Sequence, residues 1–131
     1  MHRFNPVAAQ VLLGLEGVDN NIEPHSLAII ASCYEITHTI PTLAEFAEAF
    51  NTLLYARAIE IDGDNVSLAN FGRDIINAAR SKANTEIQPQ ELLEFVYKEL
   101  SGYKLKSMCN RTVWTQEQYQ QAIDLLCDTH K

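Results

Sequence analysis

The sequence predicts a mainly α-helical domain that carries one small β-hairpin. Apolar residues recur at helical spacing along most of the chain, which is typical of helices with one buried face. Two short segments within residues 59–68 instead alternate apolar and polar side chains around a turn-forming tetrapeptide. Prolines and capping side chains mark most of the predicted helix starts. A length of 131 residues favours a single domain over residues 1–131.

The N-terminal part of the chain predicts two helices. Asn5 followed by Pro6 is a strong helix start, because asparagine can cap the helix and proline at its first position sacrifices no hydrogen bond. The apolar spacing extends this helix over residues 6–16. Pro24 opens the second helix, which is crowded with apolar residues and is expected to be buried. Residues 37–40 (THTI) favour β structure and are predicted to add an edge strand to the hairpin.

Residues 42–80 predict a long helix, the hairpin and a further helix. Thr42 and Glu45 form a capping box at the start of the long helix. Its apolar stripe consists of Leu43, Phe46, Ala47, Phe50, Leu53 and Leu54. Residues 62–65 (DGDN) supply the hairpin turn, since glycine and asparagine tolerate positive φ. Asn70 is the predicted cap of the next helix.

The remaining residues predict a C-terminal helical extension over about 86–131. Pro89 begins one helix of this extension. Residues 103–114 have no clean period and predict an extended connector. A second capping box, formed by Thr115 and Gln118, starts the last helix.

The order of helix, short strand, helix, hairpin and helix within residues 26–80 resembles a winged-helix domain. The resemblance to small bacterial winged-helix proteins rests on three motifs: IPT at residues 40–42, the entry to the hairpin at 54–61, and LANFG at 68–72. The resemblance implies a winged-helix-like core of about residues 24–80 with flanking N- and C-terminal helices. These motifs concern structure rather than catalysis.

Charge favours a protein partner over nucleic acid. The net charge is −7, and a phosphate backbone would repel it. Several carboxylates fall on the long helix and the hairpin, and we take them as candidate contacts to a basic partner: Glu45, Glu48, Glu60, Asp62 and Asp64. The sequence therefore favours a non-enzymatic, acidic protein-binding module, such as an immunity or antitoxin-type protein that neutralises a basic nuclease.

The alternative hypothesis is a dimeric DNA-binding transcriptional regulator. Its candidate DNA contacts are Asn51, Thr52 and Arg57, and the terminal helices 6–16 and 116–129 would pair between subunits of a homodimer. DNA-binding winged-helix proteins carry two helices separated by a turn, whereas only one long helix fits between Thr37 and Ala58.

A cluster of basic and aromatic residues near the connector has two interpretations. Its basic members are Lys98, Lys104, Lys106 and Arg111, and its aromatic members are Tyr97, Tyr103 and Trp114. Such interleaving can bind single-stranded nucleic acid through stacking and charge. We favour the simpler interpretation, in which the connector is solvated and its aromatic side chains anchor it to the core.

The sequence offers little support for catalysis, and we expect no enzyme activity, cofactor or metal. It has no glycine-rich phosphate loop. Cys127 and His130 could supply only half of a metal site, since structural zinc needs four ligands. Cys33 and His38 could act as nucleophile and base, but a thiol within an apolar helix usually just packs. Three unpaired cysteines and the lack of a long apolar segment favour a cytoplasmic protein with no membrane partner.

Overall fold

The computed structural model confirms the predicted fold class, with helices surrounding one antiparallel hairpin. It describes residues 3–17, 29–31, 33–34, 37–62, 65–83, 88–112 and 114–129. The elements in chain order are α1 (Pro6–Gly17), α2 (Leu43–Tyr55), β1 (Ile59–Asp62), β2 (Asn65–Leu68), α3 (Asn70–Lys82), α4 (Pro89–Ser101) and α5 (Gln116–Thr129). Residues 29–31 and 33–34 are also helical.

Helix α1 lies at the centre of the core. The amide side chain of Asn5 caps it, since Asn5 Oδ1 accepts from the Ala8 N–H at 2.9 Å. The helix is apolar nearly all round, and it packs against α2, α3, α4 and β2. Its buried side chains are Val7, Ala8, Ala9, Val11, Leu12, Leu13 and Leu15. The helix therefore holds the N- and C-terminal parts of the fold together.

The hairpin forms in the register that the alternation predicts. Ile59 pairs with Leu68, and Ile61 pairs with Val66. Ile59 and Val66 are buried against the helices, whereas Glu60 is exposed. An isolated two-stranded hairpin is marginal in water, so this burial against α2 and α3 stabilises it.

Gly72 lets α3 approach the base of the hairpin. The Ala69 N–H donates to the Ala58 carbonyl at 2.9 Å, which brings the first turn of α3 over that carbonyl. A Cβ on Gly72 would lie 2.3 Å from the Ala58 oxygen and 3.2 Å from Leu12 Cδ2. No side chain fits this gap without a shift of the backbone.

Both ends of α2 are fixed by hydrogen bonds within the chain. The Thr42 and Glu45 capping box is present at the start, as predicted. At the end, the Arg57 N–H donates to the Leu54 carbonyl and the Ala58 N–H donates to the Leu53 carbonyl. This is the Schellman arrangement, with Arg57 in the left-handed conformation at φ 62°. Glycine usually takes that position, so the backbone of Arg57 is strained.

Two local predictions were wrong. The sheet of the described residues has two strands, and residues 37–40 do not join it. Thr37 is instead helical, and its hydroxyl donates to the Cys33 carbonyl. The chain then turns at His38, whose φ is 59°. The N-cap of α3 is Ala69 rather than Asn70, since the contact of Ala69 with the Ala58 carbonyl sets where the helix begins.

The C-terminal extension is part of the same packed structure. Helix α4 packs on α3 and α1. The connector, defined as residues 103–115, contains no helix among its described residues, 103–112 and 114–115. The centre of its Trp114 ring lies 5.0 Å from that of Phe46 and 4.8 Å from that of Phe50. Helix α5 starts at the predicted capping box, and its Tyr119 hydroxyl donates to the Pro41 carbonyl.

No helix within the described ranges is both long enough and apolar enough to cross a lipid bilayer.

Candidate functional site

The first half of α2 carries the best-defined part of the predicted partner-binding set. Glu45 and Glu48 lie three residues apart, so they share one face of the helix, and both are exposed. The amide of Asn5 links them, because its Nδ2 donates to the Glu45 backbone carbonyl at 3.2 Å and to Glu48 Oε2 at 3.1 Å. We call Glu45 and Glu48 the acidic patch.

Glu45 also serves the helix cap. Its Oε1 accepts from the Thr42 N–H at 3.0 Å. This hydrogen bond, with that of the Thr42 side chain, lowers the pKa of Glu45 from its usual value. The carboxylate therefore stays ionised as the solution becomes mildly acidic. Burial of the phenol, and to a smaller extent the negative charge of Glu45, raises the pKa of Tyr119 above its usual value.

The other predicted acidic contacts are not part of this patch. Glu60 is exposed on β1, beyond the far end of α2. Glu60 therefore lies on a different element from Glu45 and Glu48, which are both on α2. Asp64 and the side chain of Asp62 lie outside the described part of the chain. Their contribution stays a prediction.

The exposed acids at these positions lack a neutralising cation within the described ranges. The ion pairs found there join Arg80 to Glu16 and Lys82 to Glu99. Glu45, Glu48 and Glu60 form none with any side chain in the described part of the protein. The acidic surface is therefore available to an external positive charge.

The alternative DNA contacts are placed less favourably. Asn51 is 6% exposed and Thr52 is 0% exposed, so neither side chain is presented to a ligand outside the protein. The hydroxyl of Thr52 donates within α2, to the carbonyls of Glu48 and Ala49. Arg57 alone among the three is exposed.

Asn51 instead fastens the connector to α2. Its Nδ2 donates to the Arg111 carbonyl at 3.0 Å, and its Oδ1 accepts from the Arg111 N–H at 2.8 Å. The Cys109 N–H donates to the Asn51 backbone carbonyl at 3.2 Å. We call this set of bonds the Asn51 clamp. Sequence reasoning missed it, and the one available signal was a polar amide between Phe50 and Leu53 in an otherwise apolar stripe.

The basic and aromatic cluster is only partly buried. Trp114 is anchored in the core, as the favoured interpretation predicts. Tyr97 and Tyr103 are 37% and 45% exposed, and Tyr103 contacts the ring of Phe71 edge-on. The basic side chains of Lys98, Lys104, Lys106 and Arg111 are exposed. Lys98 lies 5.7 Å from the ring centre of Phe95, within the range of a cation–π contact.

The hypothetical thiol chemistry has no structural support at Cys33. The side chain is 0% exposed, and burial raises its pKa to about 12. A thiol is reactive as its thiolate, which this environment disfavours. His130 lies outside the described part, so the Cys127 and His130 pair is not placed. Among the described side chains, no group of three or more histidine, cysteine, aspartate or glutamate residues could hold a metal.

No family model, curated protein or solved structure matches this chain. The resemblance to winged-helix proteins therefore stays a prediction that rests on the motifs themselves.

Proposed function

We propose that the protein is a non-enzymatic binding module that engages a basic protein partner through the acidic patch of α2. The observation that carries this proposal is the pair of exposed carboxylates, Glu45 and Glu48, which are each held by a hydrogen bond but form no ion pair with any other described residue. Glu60, which is exposed on β1, would add a third carboxylate to the contact.

Net charge supports the same partner chemistry. A chain with a net charge of −7 attracts a basic protein over a distance of about 10 Å at moderate ionic strength. Complementary charge mainly raises the association rate and the selectivity for the partner. Among proteins that bind a basic partner, we propose that this one is an immunity or antitoxin-type protein that neutralises a basic toxin.

The test compares two triple variants after affinity purification has identified a partner. The first variant is E45Q/E48Q/E60Q, in which glutamine at position 45 can still form the capping box. The matched control is D74N/E91Q/E94Q, which removes the same charge from exposed positions on α3 and α4. Association rates are then measured by surface plasmon resonance at several salt concentrations.

We expect a basic partner and an association rate that falls about tenfold in the first variant at low salt. The association rate of the control variant should fall much less. Equal losses in the two variants would assign the effect to overall charge and would reject the patch. A captured partner with an acidic surface would reject the proposal as a whole. Replacing Asp62 and Asp64 by lysine tests separately whether the hairpin turn contributes.

A DNA-binding regulator is the less favoured hypothesis. Two of its three predicted contacts, Asn51 and Thr52, are buried, and both bond within the chain. Pairing of α1 between subunits would need an apolar face, but α1 already buries its apolar residues within its own chain. A gel shift with genomic fragments at low salt that is lost in Arg57→Ala would favour this hypothesis over ours.

A further inference from the structure

The connector carries positive charge that no other described part of the chain neutralises. Residues 100–116 contain three basic residues and no acidic one, although the net charge of the protein is −7. The side chains of Lys104, Lys106 and Arg111 are exposed, and none of them pairs with a carboxylate of the described residues. The two basic residues at the end of α3, by contrast, are each paired with a glutamate. The connector therefore leaves three cations available to an external anion.

Contacts at two points hold the segment that carries these cations. At its start, the centre of the Tyr103 ring lies 5.2 Å from that of Phe71 in the first turn of α3. Farther along, the Asn51 clamp holds both the N–H and the carbonyl of Arg111. Between these points Leu105 packs into the core, and the lysines on either side of it are exposed. The backbone is thus positioned before a ligand binds, which lowers the entropic cost of binding.

Exposed aromatic rings accompany the cations. Trp114 anchors the connector in the core, whereas Tyr103 and Tyr97, near the end of α4, stay exposed. Tyr103 directly precedes Lys104 in the sequence, and Tyr97 directly precedes Lys98. Aromatic side chains can stack with the bases of a single nucleic-acid strand while neighbouring cations contact its phosphates. An acidic peptide would satisfy the cations alone, so the combination favours a nucleic acid.

The net charge of −7 limits the form of nucleic acid that this surface can hold. Charges more than about 10 Å apart are largely screened at 0.1 M salt, so the cations of the connector dominate the field close to it. Asn51, which holds Arg111, lies one turn after Glu48, so the acidic patch lies towards that end of the connector. A long polyanion would reach the patch and be repelled, and a duplex would hide the faces of its bases from Tyr103. These constraints favour a short single strand.

From these observations we infer that the connector binds a short single-stranded nucleic acid. A base stacks on the exposed ring of Tyr103, and the phosphates on either side of it contact Lys104 and Lys106. Arg111 adds a further cation along the strand. This surface shares no residue with the acidic patch, so the inference goes beyond the proposed function and holds or fails separately from it.

The test measures the fluorescence anisotropy of labelled decathymidylate and decauridylate as the full-length protein is added at low salt. We expect saturable binding of both strands that weakens as salt is raised, because stacking and phosphate contacts do not depend on the 2′-hydroxyl. A clear preference for one strand would support the inference and identify the ligand as DNA or RNA. A duplex of the same length should bind about tenfold more weakly, since its bases are already stacked.

Decaglutamate is the competitor that distinguishes a nucleic acid from an acidic peptide. It should displace the labelled strand only weakly, because it offers no base to Tyr103. Displacement at the same concentration as an unlabelled strand would overturn the inference in favour of an acidic peptide. Absence of saturable binding at low salt, or equal binding of the duplex, would also overturn it.

A pair of charge variants tests the phosphate contacts, each checked for native folding by circular dichroism. K104Q/K106Q should weaken binding about tenfold at low salt. It should also reduce the slope of log K against log salt concentration by about 1.4, since each phosphate contact to a single strand contributes about 0.7. The matched control is R3Q/R73Q, which removes the same charge from exposed positions outside the connector. Equal losses in the two variants would assign the effect to overall charge and overturn the inference.

Two substitutions of Tyr103 test the stacking contact. Tyr103→Leu should weaken binding about tenfold, because the side chain stays apolar but loses its flat ring. Tyr103→Phe keeps the ring and should bind as tightly as the wild type. If the leucine variant folds and binds as well as the phenylalanine variant, no base stacks at this position and the inference is wrong.

Discussion

Residues 42–82 and the connector keep their shapes by different kinds of contact. In residues 42–82, caps, helix bonds and a hairpin join residues that are close in sequence, as in the bond of Glu45 to Thr42. The connector has almost no regular structure of its own. It is held by the Asn51 clamp and by the contacts of the Trp114 ring with Phe46 and Phe50 of α2. The connector should therefore depend on a few single residues far more than the helix–hairpin–helix region does.

The strongest exception to that contrast is Gly72, where the helix–hairpin–helix region also depends on one position. We expect Gly72→Ala to lower the free energy of unfolding by about 3 kcal/mol, because the added Cβ collides with the Ala58 carbonyl. Urea denaturation followed by circular dichroism measures the change. The matched control is Gly102→Ala, whose Cβ would meet the Glu99 oxygen at an ordinary 3.6 Å and should cost little. Similar losses in the two variants would contradict the close approach.

Removing the clamp should give the next largest effect. Asn51→Ala leaves the N–H and the carbonyl of Arg111 without partners, and we expect a loss of about 2 kcal/mol in unfolding free energy. Hydrogen exchange should quicken at Arg111 while the amides of the hairpin stay protected. Asn77→Ala, at an exposed position on α3, is the control and should change neither quantity. Uniform quickening across the whole chain would show that the clamp does not act locally.

The smallest expected effect is a gain in the free energy of unfolding. Arg57 adopts φ 62°, so Arg57→Gly should raise the free energy of unfolding by about 0.5 kcal/mol through relief of backbone strain. Thermal unfolding by calorimetry can resolve the gain. Arg57→Ala removes the same charge but keeps the strained backbone, and it should bring no gain. If the alanine variant were equally stabilised, charge rather than conformation would be the cause.

The same contrast explains what could be predicted from the sequence. The capping box of Thr42 and Glu45 and the alternation around Ile59 and Val66 are local patterns, and the structure confirms them. The Asn51 clamp joins positions 60 residues apart, and no local pattern marks such a pairing. For that reason, the sequence offers Asn51 as a candidate DNA contact in the alternative hypothesis, although the side chain is buried.

The candidate binding residues were predicted less completely than the fold. Charge alone predicts the acidic residues but does not show that Glu45 and Glu48 share one amide partner whereas Glu60 lies on another element. The prediction of an edge strand at residues 37–40 was wrong because β-propensity does not include the left-handed turn at His38, whose φ is 59°.

The distance along the chain between Pro41 and Tyr119 bears on how the protein is made. Their hydrogen bond spans 78 residues, and Trp114 reaches Phe46 over a comparable interval. Synthesis on the ribosome proceeds from the N-terminus. The face of α2 that carries Phe46 and Phe50 therefore stays without its Trp114 and Tyr119 contacts until those residues have emerged. A chain released before Trp114 has been synthesised would expose this apolar face of α2 to chaperones and to other nascent chains.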